Sequence, residues 1–505
     1  MISEYKQQTS NPSRTLAPLL PRKDEVVLDK AYFFNLLPEY MSSVYPVQPI
    51  LSEMEIRDNI EAMDQDKEAY SYVHAFGACT LNLAYPGHRR TEEISEAIQR
   101  LVNESIRSRP LVSRGHKSSI RQCMTSLHLH NCFMTMHDSD ASFFYIRDAI
   151  TLVQMLGIET PGGMAMLAPH ERAKLQRLYW EAFIHERFLS ILDYRQAVLR
   201  PLQSLPEDDS TIPAGVQEGF NQIIRLFQLF DTSFLQNWLG HHDSSITPAW
   251  IESKQAELDL QMDNPEGNYS ALSSMQKADL VVTKQWLKTL VWRLAMSNTL
   301  LSSSSPKECL SLLFPVRLSK QLRRQLSSIT REDIEIHGSG IVQKLFEITD
   351  TIADVIMVAP AQSIHDTSNR VDDFLYLAEY LSGFPILDRT RKSMLNEKLD
   401  KLRSMFPELS SNPNSPQAQH PFFADLNGSD GPWYGATESM IPVTISSPTV
   451  TASTPSDDVG QMFPPQFTNG NLYTQYNEIA RRLSVADFAF MADDTTPQPQ
   501  LEQID

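Results

Sequence analysis

The sequence predicts an all-α fold: a large multi-helix domain followed by a disordered acidic C-terminal tail. Three observations carry that expectation. From Val26 to about Phe406, apolar residues recur at three- and four-residue spacing in segment after segment, and strand-like alternation is rare. Glycine is scarce, at 18 of 505 residues, which argues against a glycine-rich nucleotide fold or a large turn-rich sandwich. After Pro407 the composition changes: residues 411–505 hold eleven prolines, eleven acidic residues and only Arg481 and Arg482 as bases. Such a segment buries too little apolar surface to offset its ordering entropy.

Taken in order, residues 1–25 are polar, carry Pro12, Pro18 and Pro21, and read as a flexible arm. The helical domain is expected over 26–408. A helix around 118–137 places Leu127, Asn131, Met134 and Thr135 near one face, and in the next one Phe144, Asp148, Thr151, Leu152 and Met155 share helical spacing. Arg172–Tyr194 carries a broad stripe through Leu175, Leu178, Tyr179, Ala182, Phe183, Phe188 and Ile191, with Pro169 and His170 at its entry. Further helices are predicted over Val216–Asn237, Met275–Leu301, Ile341–Met357, Val371–Ser382 and Thr390–Met405, with Gly338, Gly340, Pro360 and Gly383 as breakers. In the tail (409–505), Asn471–Met491 spaces Leu472, Tyr476, Ile479, Leu483 and Phe490 almost helically. Phe488, Phe490 and Met491 there sit among Asp487, Asp493 and Asp494. Acid-flanked aromatics of this kind suit folding onto a partner's hydrophobic groove, and these six residues are read as the activation region. A helix that docks back on the domain, or a random acidic tail, is the plainer alternative.

Composition narrows the function. Hydrophobic residues make up 41% and charged residues 21%, enough for a sizeable core. The net charge of −18 argues against this chain alone binding a nucleic-acid backbone. The four cysteines, Cys79, Cys123, Cys132 and Cys309, form no C-x-x-C pair, which excludes a zinc ribbon and a disulfide-dense scaffold. With no apolar leader and no uninterrupted apolar run of about 18 residues, the expectation is a soluble intracellular protein without a membrane span.

Chemical motifs are weak throughout. In HLHNCFMTMH, His128 and His130 point apart on a helix, so His128, His130, Cys132 and His137 make no local four-ligand set. His241-His242-Asp243 is a second metal candidate, in a loop. WEAFIHERF has Leu189 where H-E-x-x-H needs histidine. Gly115-His116-Lys117-Ser118 lacks the Walker glycine, Gly338-Ser339-Gly340 lacks a third glycine, and no G-x-S-x-G appears. No cofactor or metal is expected, and enzyme chemistry has no specific support.

One stretch carries a resemblance. RLYWEAFIHERFLSILDYRQAVLRPLQSLP (177–206) contains Arg177, Trp180, Phe183, Glu186, Arg187, Arg195 and then Leu205-Pro206. It resembles the middle homology region of fungal zinc-cluster (Zn2Cys6) transcription factors, whose pattern is R-[R/L]-x-W-x-x-[FY]-x-x-[DE]-R, an apolar run, G-R-P-x-x-[LI] and a later Leu-Pro. Tyr194 replaces the usual Gly and Gln196 the usual Pro, which bears on the turn after Arg195. SFFYIRDAITLVQMLGI (142–158) is similar to the family's preceding helix, and AYFFNLLPEYMSSVYPVQPIL (31–51) to its aromatic helix with Tyr-Pro and Pro-Ile-Leu. Within the family the segment looks most like the sugar-responsive and metabolic-cluster regulators. As structural residues, Arg187 is expected to pair with a carboxylate of the 142–158 helix such as Asp148, and Arg195 to clamp the loop leading to Leu205-Pro206.

The resemblance implies a nuclear transcriptional regulator of a metabolic pathway or secondary-metabolite gene cluster. The family's six-cysteine cluster has no counterpart here, since only 25 residues precede Val26 and none is cysteine. No direct specific DNA binding is therefore expected of this chain alone. It would work through the transcription machinery or a DNA-bound zinc-cluster regulator, as a homo- or heterodimer, or as a decoy; alternatively an upstream exon encodes the cluster. A small-molecule effector between helices fits the class. KQLRR (320–324) is the one weak basic import signal. A helical scaffold or inhibitor without transcriptional output, and an all-α enzyme, remain the alternatives.

Overall fold

The computed structural model describes residues 28–111, 114–115, 117–160, 162–240, 246–260, 272–302, 305–359 and 364–406. The expected arm at 1–25 and tail at 409–505 lie outside these residues. Among the described residues there are sixteen α-helices and no strand.

The first group is α1 (Lys30–Ser43), α2 (Glu53–Ala62), α3 (Lys67–Ala84), α4 (Glu92–Ser108), α5 (Ile120–Thr135) and α6 (Ser139–Met155). Each starts after a Ser, Thr or Asp (Asp29, Ser52, Asp66, Thr91, Ser119, Asp138) whose side chain accepts a first-turn amide. Helix α3 is buried almost all round and touches α1, α2, α4 and α5. Gly77 makes this possible, because a Cβ there would stand 2.9 Å from the Phe33 ring of α1. Helix α6 packs on α5 as an antiparallel hairpin.

Helix α7 (Pro169–Leu192) follows, with Pro169 in its first turn, where a missing N–H costs no helical bond. It touches α5, α6 and α8, and thereby links the first group to the second. The second group is α8 (Ala214–Gln228), α9 (Thr232–Trp238), α10 (Pro248–Leu260), α11 (Ser274–Ser297), α12 (Phe314–Leu326), α13 (Arg331–Glu335), α14 (Gly338–Val358), α15 (Ile364–Ser382) and α16 (Arg389–Met405). Helix α11 is its axis, held by a Ser273–Gln276 capping box and packed by α8, α10, α12, α13 and α14. Trp286 and Trp292 of α11 are fully buried, and their indole N–H groups donate to Glu347 Oε2 (2.8 Å) and the Ser311 carbonyl (2.9 Å). Each such side chain contributes roughly 1.5–3 kcal/mol by burial alone. The described residues up to Asp400 pack as one unit, and the division falls at Lys401, within α16.

The structure corrects the sequence expectations in two places and shows which side of α6 is covered. Val216–Asn237 is two helices, because Asp231 caps a new N-terminus by accepting the Phe234 amide (2.8 Å), and Phe230 turns inward between Phe234 and Trp286. Of the residues that share helical spacing on α6, Leu152 is buried while Phe144 and Met155 are 61% and 51% exposed; Tyr145, Ile146, Ala149, Ile150 and Val153 complete the buried face. Gly338 starts a helix rather than breaking one: its φ of +66° turns the chain from α13 into α14.

Candidate functional site

The residues of the 177–206 pattern do one job together. The chain leaving α7 runs back along that helix as an irregular segment, residues 193–213, with no backbone ladder of its own. Its polar groups therefore need side-chain partners, and one face of α7 supplies them. Glu186 accepts the amides of Val198 (2.8 Å) and Leu199 (2.9 Å), and Arg187 donates to the Leu199 carbonyl (2.6 Å). Tyr179 donates to the Arg200 carbonyl (2.7 Å) and Trp180 to that of Ser204 (3.2 Å). Near the start of the helix, Gln176 accepts the Glu207 amide (2.7 Å) and Arg172 pairs with the Glu207 carboxylate. Pro206 is buried and Leu205 half-buried at the end of this track.

Arg177 ties three segments. It donates to Asp209 Oδ2 (2.9 Å) and, through Nε, to the Pro49 carbonyl of the α1–α2 connection (2.7 Å). Burial pushes the Asp209 carboxyl up, but Thr211 and Arg177 outweigh it and hold it below the usual range. Phe183 packs against Trp180 edge-on, and the Arg187 guanidinium lies 3.9 Å over the Phe183 ring.

Two expected contacts differ. Arg187 pairs with its neighbour Glu186 (2.9 Å), not with Asp148. Asp148 is taken by Arg109 and the Ser126 hydroxyl, and α6 sends a cation across instead: Arg147 reaches Glu186 at 3.0 Å. Adjacent residues on a helix point about 100° apart, but the long guanidinium of Arg187 folds back over Phe183 to reach its neighbour. Burial pushes Glu186 above the usual carboxylate range, against the two amides and two guanidiniums, and brings Arg187 down to about 10. Arg195 does not clamp the later loop. It stacks 3.9 Å over Phe143 of α6, near Asp140 and Asp193. Tyr194, in the place of the pattern's glycine, has φ +52° and stacks on Trp238 (6.1 Å, 8°). A glycine takes that backbone without cost, so the pattern's preference has a conformational reason.

The histidine cluster resolves into two environments. His128 is fully buried against Tyr40 and Tyr72, with no hydrogen bond to either nitrogen among the described residues, and burial lowers it to about 3. His130 is also fully buried and lowered to about 3, first by burial and then by His185. Its Nδ1 lies 3.0 Å from the Ser142 carbonyl and its Nε2 3.1 Å from His185 Nδ1; His185 Nε2 lies 3.0 Å from Glu181 Oε1. Cys79, Cys123 and Cys132 are buried, and burial pushes each thiol up. His241-His242 and the activation residues Asp487, Phe488, Phe490, Met491, Asp493 and Asp494 lie outside the described residues.

Glu181 and His185 form one wall of a cleft between α5, α7, α8, α11 and α14, half-open to solvent, with a free volume of about 140 Å³. Asp279 and Lys344 form another, at 3.4 Å from each other, and Lys344 also donates to Thr283 Oγ1 (2.7 Å). Burial pushes Asp279 up, but Lys344 and His337 hold it below the usual range. Ile184, Phe188, Ile223 and Phe227 supply the apolar lining. Sequence reasoning reached His185 and Gly338–Gly340 for other reasons, as failed motifs, and missed Glu181, Asp279 and Lys344. Those three come from helices far apart in the chain, and no local spacing announces them.

No family model matches the chain. It is 24% identical over 370 residues to the probable sucrose utilization protein of Candida albicans, covering 72% of each chain. A maltose fermentation regulatory protein of Saccharomyces cerevisiae is 22% identical over 363 residues, 70% of this chain and 74% of its own. A respiratory transcription factor of the same yeast is 21% identical over 339 residues, 65% and 70%. The chain is a relative of the fungal zinc-cluster transcription regulators. The chain thus shares most of its helical region with proteins named for sucrose utilization, maltose fermentation regulation and respiratory transcription. The buried α7 track lies inside the shared length, because any stretch that covers 72% of the 505 residues includes residues 169–213.

Proposed function

We propose that this chain regulates transcription of genes for a fungal metabolic pathway or biosynthetic cluster, acting in the nucleus. The observation that carries this is the match along about 70% of the chain to several regulators of sugar use. In this reading the helical domain, 26–408, is the regulatory unit, and the tail, 409–505, is the activation region. The tail's net charge of −9 and its acid-flanked Phe488, Phe490 and Met491 support recruitment of the transcription machinery.

Contact with DNA comes through a bound zinc-cluster regulator, by heterodimerisation of the helical domain. Two features support that route: the chain's charge of −18 opposes the phosphate backbone, and three of its four cysteines are committed to the helical core. The cleft beside α7 is the effector site, placed where a bound molecule touches α5, α7, α8, α11 and α14 at once.

The test fuses the full chain, and the chain ending at 408, to a heterologous DNA-binding domain over a reporter in fungal cells at matched protein levels. Activation by the full chain and none by the shorter one is the expected result. Repression keeps the regulator class and reverses its sign. No change with either fusion overturns the reading.

A further inference from the structure

Four of the large apolar side chains exposed among the described residues gather around α6: Leu111, Phe144, Met155 and Val198, each half exposed or more. At about 100° per residue, Phe144, Thr151 and Met155 point within about 20° of one direction, and the 144–155 span is roughly 16 Å. All three are exposed, so they form an open stripe along the helix. Two segments flank it. Tyr145 lies about 100° to one side of Phe144, and the α4–α5 connection is tied down there. Arg109 lies 5.7 Å over the Tyr145 ring and pairs with Asp148, and the Ser118 hydroxyl donates to the Leu152 carbonyl (2.8 Å). Leu111, Arg114 and Lys117 come between those two ties, and all are exposed. Arg147 lies about 60° to the other side of Phe144. It holds the chain that follows α7 by donating to the Gln196 carbonyl and to Glu186, which also accepts the Val198 amide.

The two rims are basic. From Ser105 to His137 the chain has five Lys and Arg and no Asp or Glu. Arg107, Arg109 and Arg121 are paired with Glu104, with Asp148, and with Asp66 and Glu68. Arg114 and Lys117 meet no carboxylate among the described residues. On the other rim Arg147 and Arg187 share the single carboxylate of Glu186, while Arg195 faces both Asp140 and Asp193. Arg114 and Lys117 add two charges, the Glu186 cluster adds one and the Arg195 cluster takes one back. The strip is therefore net positive by two, in a chain of net −18. A nucleic acid would use the rims, leave Phe144 and Met155 unmatched, and meet the repulsion of the whole chain. A wholly apolar partner would leave the rims unmatched. A short acidic helix with an apolar face matches both the charge and the straight apolar stripe.

We propose that the α6 stripe is a docking surface for an acidic amphipathic helix of another protein. The helix lays bulky apolar side chains on Phe144, Met155 and Val198 and turns carboxylates towards Arg114 and Lys117. The proposal rests on this surface and is independent of the regulator reading.

The experiment is fluorescence anisotropy of a labelled synthetic peptide, four repeats of Glu-Glu-Leu-Phe, titrated with the full chain at low salt. Saturable binding is expected, weakening as salt is added. The same peptide with Lys for every Glu, or with Ala for every Leu and Phe, is expected to bind about tenfold more weakly or not at all. Phe144→Ser should weaken binding about tenfold, and Arg114→Glu with Lys117→Glu about fivefold. All three positions are exposed, so the thermal melts of these variants should match that of the unaltered chain. Met54→Ser, at an exposed methionine of α2, is the control and should leave binding unchanged. No saturable binding, equal binding of the Lys or the Ala peptide, or equal effects of Phe144→Ser and Met54→Ser overturns the proposal. So does a labelled DNA duplex that binds through the same residues, or self-association of the chain in sedimentation that Phe144→Ser abolishes while the peptide does not bind. The reporter result is read separately, so a failure of this surface and a failure of the regulator reading are told apart.

Discussion

Replacing His128 by leucine tests how the buried polar groups of α5 contribute. His128 is wholly buried, its ring centroid is 6.2 Å from that of Tyr40 and 5.9 Å from that of Tyr72, and neither nitrogen is hydrogen-bonded among the described residues. An imidazole so placed costs about 1–3 kcal/mol in unmatched desolvation. Its aromatic contacts return about 0.5–1.5 kcal/mol. Leucine is of similar size and has no polar atom, so it removes the larger effect and loses the smaller. The variant should be more stable by about 1 kcal/mol at pH 7.5. The pH dependence sharpens the test. Burial holds the folded-state pKa at about 3, below the roughly 6.5 of an unfolded chain. The unfolded state therefore takes up the proton first as pH falls, and the folded state loses stability from about pH 6.5 down to about 3. At pH 5 this adds about 2 kcal/mol to the cost of His128. The advantage of leucine should thus widen from about 1 to about 3 kcal/mol between pH 7.5 and pH 5, while His130, present in both proteins, cancels. Urea unfolding followed by circular dichroism at the two pH values measures it. A variant less stable at both, or a difference that does not widen, refutes the reasoning.

Three further outcomes follow from the α7 track. Glu186→Gln, which leaves Arg187 and Arg147 without their buried carboxylate, should cost about 3 kcal/mol and open residues 193–213 to proteolysis, read by urea melts and limited digestion. At Tyr194, glycine relieves a left-handed backbone worth about 1–2 kcal/mol but loses the stack on Trp238, worth about 0.5–1.5 kcal/mol. Tyr194→Gly should therefore be near neutral and Tyr194→Val clearly destabilised in thermal melts, and equal effects of the two would contradict the strain argument. A double-mutant cycle should find coupling between Asp148 and Arg109, about 0.5–1 kcal/mol for this partly exposed pair, and none between Asp148 and Arg187.

Much of the helical order was legible before any coordinates. The long apolar stripes of α7 and α11, with Pro169 at the entry of α7, placed those two helices within a few residues, and Gly383 marked the end of α15. Where the reading slipped, a local signal competed with a distant partner. The break between α8 and α9 depends on Phe230 turning towards Trp286, more than fifty residues on, while the apolar spacing through the break stays helical. On α6 the helical spacing of Phe144, Leu152 and Met155 marks the helix without saying which side is covered: Leu152, Tyr145 and Ala149 are buried, Phe144 and Met155 exposed. Apolar spacing identifies a helix more securely than it says which of two apolar faces is covered.

The sequence by itself determined the all-helical class, the change of composition after Pro407, and the 177–206 pattern that links the chain to its relatives. These rest on spacing and composition, which are local properties of the chain. Only the tertiary structure decided what the pattern's residues hold. Arg177 meets Pro49 and Asp209, Glu186 meets Arg147, and Arg195 meets Phe143. It also brought Glu181, Asp279 and Lys344 to one cleft from three helices. Each helix fixes only the direction in which its own side chains point; which of them meet depends on how the helices cross, and that is set by packing over the whole unit.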